Sequence, residues 1–105
     1  MQIRGVRSWG TPYTKRIPML DVLVVSPETI EVRSLVGRSY RHDRREVRRV
    51  ARVSYRVLPL VRRTCFKVTF TTERVMPLFF RPWRVGRVER AFATAGWDVA
   101  VGERI

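Results

Sequence analysis

The stretch Asp43-Arg44-Arg45-Glu46-Val47-Arg48-Arg49-Val50-Ala51-Arg52-Val53-Ser54-Tyr55-Arg56-Val57 admits two readings, and the fold turns on the choice between them. Asp43 followed by Glu46 is a capping-box pattern, and Val47, Val50, Ala51 and Ser54 share one helical face. Against a helix, Ala51, Val53, Tyr55 and Val57 alternate with Arg52, Ser54 and Arg56. Valine and tyrosine lose side-chain freedom in a helix but pack well on a pleated surface. The strand is the favoured reading; the helix stays open as the alternative. Downstream, Phe66, Val68 and Phe70 alternate with Cys65, Lys67, Thr69 and Thr71, the clearest strand pattern in the chain.

Working outward, Leu20 to Val25 is a β-branched apolar run stopped by Ser26-Pro27-Glu28, a strand followed by a tight turn. After it Ile30, Val32, Ser34 and Val36 alternate with Glu31, Arg33 and Leu35, which pairs the two runs as a hairpin. Gly37 permits a bend into Arg38-Ser39-Tyr40-Arg41, a short third strand. Thr72-Glu73-Arg74 reads as a turn before a strand from Val75 to Phe80. Pro77 within that strand points to an edge or a bulge, because a central strand needs the missing N–H. The last element reads as a helix with Pro82 in its first turn and Val85, Val88, Ala91, Phe92 and Ala95 at spacings of three and four. It stops at Gly96 and closes the chain. Trp97 is placed to fold back on the apolar stripe, and Arg84, Arg87 and Arg90 lie on the outer side. Of the tryptophans, Trp83 and Trp97 read as packing residues, while Trp9 reads equally as packed or as free to stack on a ligand.

The expectation is a single domain over residues 1–105, mainly β, with residues 1–19 a less regular N-terminal segment. Bent antiparallel sheets would form a small barrel or sandwich with one C-terminal amphipathic helix. Ile30-Glu31-Val32 in an early strand, Arg45-Glu46-Val47 leading into a middle strand, Leu78-Phe79-Phe80-Arg81-Pro82 running into the helix and Ala95-Gly96-Trp97-Asp98-Val99 ending it resemble the bacterial pleckstrin-homology-like (PH-like) domains. The resemblance spans Leu20 to Val99. It implies two roughly orthogonal antiparallel sheets, a helix plugging one open end, and a fold that commonly hosts sites for lipid headgroups or peptides.

Charge narrows the partners. The formal net charge is +13, from 22 basic and 9 acidic residues, with Lys15 and Lys67 the only lysines. Source composition explains arginine in place of lysine but not basic in place of acidic, and a polyanion is the natural counterweight. The field is concentrated in residues 37–63, where ten basic residues face two acidic ones, a net +8. The expected anion-binding set is Arg44, Arg45, Arg48, Arg49, Arg52, Arg56, Arg62, Arg63 and Lys67. If residues 47–57 and 63–71 are neighbouring antiparallel strands joined near Leu58-Pro59-Leu60, Ala51, Val53, Tyr55 and Val57 point inward with Phe66, Val68 and Phe70. Arg48, Arg52, Arg56, Arg63 and Lys67 then form one outward stripe. Like charges opposed across a strand pair destabilise it, so an anion would relieve the stripe.

Chemistry beyond binding has little to work with. His42 is the only histidine and Cys65 the only cysteine, and no glycine-rich phosphate loop or zinc-ligand spacing occurs. No enzyme activity, cofactor, metal or small-molecule substrate is expected. Lys67 could activate the Cys65 thiol, but an inert thiol is the expected outcome. A lone cysteine, and the absence of a signal-like or membrane-spanning apolar run, point to the cytoplasm. Nucleic-acid backbone is the leading partner, RNA or a ribonucleoprotein ahead of DNA. A peripheral membrane adaptor on anionic lipid headgroups and an assembly factor on an acidic protein surface are the alternatives. Membrane insertion is disfavoured at this level, because no exposed apolar wedge is evident beside the arginine run.

Overall fold

The computed structural model describes residues 2–10, 12, 21–34 and 38–105. Among these, the elements run β1 (Gln2–Trp9), β2 (Asp21–Val25), β3 (Thr29–Ser34), β4 (Tyr40–Asp43), a 3-10 turn (Arg44–Glu46), β5 (Val47–Leu58), β6 (Val61–Phe70), β7 (Leu78–Pro82), α1 (Val85–Thr94) and β8 (Val99–Arg104). The strands form one open, mixed sheet in the order β4-β3-β2-β1-β7-β6-β5-β8. β8 runs parallel to β5, and every other pair is antiparallel. The mainly β class and the lone helix match the reading of the sequence. Leu20, Leu35, Val36 and Gly37, at the ends of the expected early strands, lie outside the described residues.

Local chemistry accounts for several of these elements. The Ser26 hydroxyl accepts the Thr29 N–H at 3.1 Å and sits 2.7 Å from Thr29 Oγ1, which closes the β2–β3 turn around Pro27-Glu28. The capping box is real, but it governs a single 3-10 turn: the Asp43 N–H donates to Glu46 Oε1 at 3.3 Å, and β structure resumes at Val47. That turn bridges two strands that are far apart in the sheet, since Arg44 N–H donates to Glu28 O at 2.7 Å and Thr71 N–H to Glu46 O at 2.9 Å. α1 ends in a Schellman motif. Gly96 takes φ +79°, Gly96 N–H donates to Ala93 O at 3.1 Å and Trp97 N–H to Phe92 O at 2.9 Å. Trp97 then folds back as expected, edge-on to Phe92 with its indole N–H on Ser26 O at 2.7 Å.

Five expectations need correction. Gln2–Trp9 is not an irregular lead-in but an interior strand between β2 and β7. Its pattern hides this because the inward positions include Arg7, whose side chain is buried against Asp21. Pro77 marks no edge: it precedes the central strand β7, and its carbonyl accepts Gly10 N–H at 2.8 Å. Pro82 ends β7, so the helix begins at Val85. The helix does not close the chain, because β8 follows and pairs with β5. The two orthogonal sheets implied by the resemblance are a single continuous one here.

The core is double. On the face covered by α1, Val88, Ala91 and Phe92 pack with Ile3, Leu23, Ile30, Val32, Phe66, Val68, Phe70, Leu78 and Phe80. On the opposite face, Ala51, Val53, Tyr55, Cys65 and Phe79 form a second buried cluster. Gly5 permits the close approach of β1 and β7: a Cβ there would sit 2.4 Å from Arg81 O.

His42 lies on β4 facing the larger core, its ring 4.3 Å from that of Phe70, with Nε2 buried and lacking a hydrogen-bond partner. Burial pushes its pKa below the ordinary value, and Glu46, 3.9 Å from Nδ1, opposes the shift only in part. Because the folded-state pKa is depressed, the stability it governs is fully present above the unfolded value near 6.5 and is lost as pH falls through the folded pKa. Urea midpoints measured from pH 7.5 down to 5 should therefore fall, and His42→Phe should flatten that drop. An equal fall in the variant would assign the acid sensitivity elsewhere.

Candidate functional site

Two bulges shape the β5–β6 hairpin. Leu58 pairs with Val61 across Pro59-Leu60, yet Arg56 pairs with Arg62, so Val57 is an extra residue on β5. Arg48 is a second one, between the Val47↔Phe70 and Arg49↔Thr69 pairs. One inserted residue switches the face of every side chain beyond it. Arg52 therefore sits opposite Phe66 and Val53 opposite Cys65. This corrects the expected parity: Ala51, Val53 and Tyr55 lie on the other face from Phe66, Val68 and Phe70. The expected stripe is split, with Arg52 and Arg56 on the helix-covered face and Arg63 and Lys67 on the other.

The nine basic residues singled out in the sequence serve different purposes. Arg44 clamps the end of α1 to the β2–β3 turn, donating to Pro27 O at 2.9 Å and Gly96 O at 2.7 Å while its guanidinium lies 4.7 Å from the Trp97 ring. Arg45 is 3.7 Å from Asp43. Arg52 bonds Glu89 of α1. Arg49 and Lys67 converge on Glu103 of β8, at 3.7 and 2.9 Å. Arg62 donates from Nε to Ser54 Oγ at 2.8 Å and from Nη2 to Ser54 O and Ile105 O at 3.0 and 2.8 Å. Arg56 lines a shallow cavity with Arg62, Arg104 and Ile105. Arg48 and Arg63 have no ion-pair partner among the described residues. Arg56, Arg62 and Arg63 are thus brought together at the hairpin end, and the other six are dispersed.

That end carries an unusual surface. The β8 ladder stops at Ser54 and the β7 ladder at Phe66, so the ribbon beyond them projects without a flanking strand among the described residues. Its tip is apolar: Leu60 is 97% exposed and Leu58 59%, with Val57 and Val61 also exposed. An exposed apolar wedge therefore does sit within the arginine run, against the expectation from sequence. Trp83, expected to pack, is 67% exposed and lines a groove with Val57 and Arg63. Between the ribbon and the β7–α1 junction runs an open groove of about 490 Å³, lined by Tyr55, Arg62, Arg63, Thr64, Arg81 and Trp83 among others, with no Asp or Glu side chain. The Nε of Arg81 is buried and has no hydrogen-bond partner. Arg81 was not singled out in the sequence as a site residue, and Trp83 was read there as a packing residue. The usable signal was the turn itself, since Leu58-Pro59-Leu60-Val61 is apolar where hairpin turns are normally polar.

Cys65 lies behind this surface but is sealed from it, fully buried with a thiol pKa pushed up to about 12 by desolvation. It is inert as a nucleophile near neutral pH. No helix among the described residues is long and apolar enough to cross a membrane. Compared with known proteins, the chain matches no family model, no curated protein and no solved structure.

Proposed function

We propose that this protein is a non-catalytic, cytoplasmic peripheral adaptor that docks the β5–β6 hairpin end onto an anionic membrane surface. The observation that carries the reading is the exposed Leu58-Pro59-Leu60-Val61 tip set between Arg56 and the pair Arg62 and Arg63. In water the tip leaves apolar area uncovered, and each leucine regains about 1.5–3 kcal/mol when it is fully buried. Behind it, each arginine near an anionic leaflet adds about 1 kcal/mol. Trp83, exposed on the groove that Val57 and Arg63 also line, is suited to the boundary between headgroups and acyl chains. The resemblance to PH-like domains is compatible with this use.

Vesicle sedimentation tests it. The protein should sediment with vesicles containing phosphatidylglycerol and not with phosphatidylcholine alone, and less so as salt rises. Leu58→Ser with Leu60→Ser should weaken binding about a hundredfold, taking about 1.5 kcal/mol for each partly inserted side chain. Unchanged binding by that variant would remove the tip from the interface.

Nucleic-acid binding, the leading expectation from sequence, keeps one supporting observation: a two-stranded ribbon bearing arginines on both faces has the width of a duplex major groove. On that reading affinity for duplex falls by about 0.9 log units per phosphate contact for each tenfold rise in salt, and the leucine substitutions leave that slope intact. Duplex binding of that kind, with no sedimentation on anionic vesicles, would put this reading first.

A further inference from the structure

The groove beside the hairpin gathers basic residues without an acid among its lining residues. It is lined by Arg62, Arg63, Arg81, Thr64 and Tyr55 among others, and the Arg62 guanidinium is turned across β5 onto Ser54 and Ile105. Several arginines elsewhere are answered by acids, Arg52 by Glu89, Arg49 by Glu103 and Arg33 by Glu31. Here Arg63 has no ion-pair partner among the described residues, and the buried Nε of Arg81 has no acceptor. A charged group with an unpaired buried donor is costly, and an anion in the groove would offset the uncompensated charge of that guanidinium.

The charge count selects the anion. Two uncommitted guanidiniums balance a group that carries close to two negative charges, as a phosphate monoester does at neutral pH. A phosphodiester brings only one. We infer that this groove binds a phosphate monoester, with Arg63 and Arg81 as its principal ligands and Trp83 at its rim. The monoester is presented either by a lipid headgroup or by a soluble phosphate ester; the lipid source rests on the membrane-docking reading, whereas the groove's chemistry does not.

Tryptophan fluorescence and calorimetry with glycerol 3-phosphate test the groove directly, and vesicles of matched surface charge containing phosphatidic acid or phosphatidylglycerol test the source. Saturable one-to-one binding of glycerol 3-phosphate is expected, weakened at least tenfold by Arg63→Gln and abolished by Arg63→Gln with Arg81→Gln. Arg87→Gln on the exposed side of α1, and the Leu58→Ser/Leu60→Ser variant, should leave it unchanged. Arg63 is exposed and unpaired, so Arg63→Gln should keep the wild-type melting temperature and carries the test even if Arg81→Gln perturbs the fold. A preference of about tenfold for phosphatidic acid over phosphatidylglycerol assigns the headgroup, and glycerol 3-phosphate binding without that preference assigns a soluble ester. Absence of saturable glycerol 3-phosphate binding, or an undiminished affinity in Arg63→Gln, overturns the groove site even if tip-dependent sedimentation persists. Loss of sedimentation with glycerol 3-phosphate binding intact overturns the docking reading alone.

Discussion

Asp21→Ala is expected to cost about 3–5 kcal/mol in urea denaturation, because it strands a buried guanidinium. Asp21 is fully buried, accepts the Arg7 N–H at 3.0 Å through Oδ2, and places Oδ1 3.9 Å from Arg7 Nε. Arg7 itself is buried in the interior strand β1, with its guanidinium 4.6 Å from the Tyr40 ring and Nη1 without a hydrogen-bond partner. With the carboxylate gone, the remaining aromatic contact is too weak to offset desolvation of the charge. Asp21→Asn, which keeps an acceptor for the Arg7 N–H, should recover only the part of the loss due to that hydrogen bond, about 1 kcal/mol. A loss below about 1 kcal/mol for Asp21→Ala would mean that Arg7 reaches water and that β1 is less firmly sealed than its neighbours on both sides indicate.

The second large effect is in the helix. Phe92→Ala should cost about 3–5 kcal/mol, a large share of the roughly 5–15 kcal/mol that holds such a domain folded. Phe92 is fully buried, with ring centroids 6.1 Å from Phe66 and 6.3 Å from Trp97, so it joins α1 to both the sheet and the helix's own C-terminal cap. Truncation leaves a cavity that Phe66, paired into β6, cannot move to fill. A melting temperature lowered by more than about 10 °C is the expected reading. An unchanged one would mean that α1 is not the cover of the larger core.

Much of the fold was legible because its signals are local. Ser26-Pro27-Glu28 turns the chain wherever it is placed, Gly96 ends a helix because its φ is positive, and Phe66, Val68 and Phe70 alternate over a stretch short enough to read unaided. The ambiguity at residues 43–57 was physically real. The capping box forms, but one turn of helix is all that Asp43 and Glu46 support before the β-branched and aromatic run begins at Val47. Trp83 was misread because an isolated tryptophan carries no sign of whether anything will cover it.

The candidate site was legible as a composition and not as a place. Local pattern alone settled a basic, mainly β chain, its first hairpin, its clearest strand and the stop of its helix, since each depends on residues within a few positions of one another. Tertiary structure alone decided that β1 is interior, that β8 returns parallel to β5, and which arginines meet a carboxylate and which do not. The physical reason lies in the hairpin turn. Val57-Leu58-Pro59-Leu60-Val61 contains no polar residue to pin the register, and the single extra residue it accommodates at Val57 sends Arg52 to one face and Arg63 to the other.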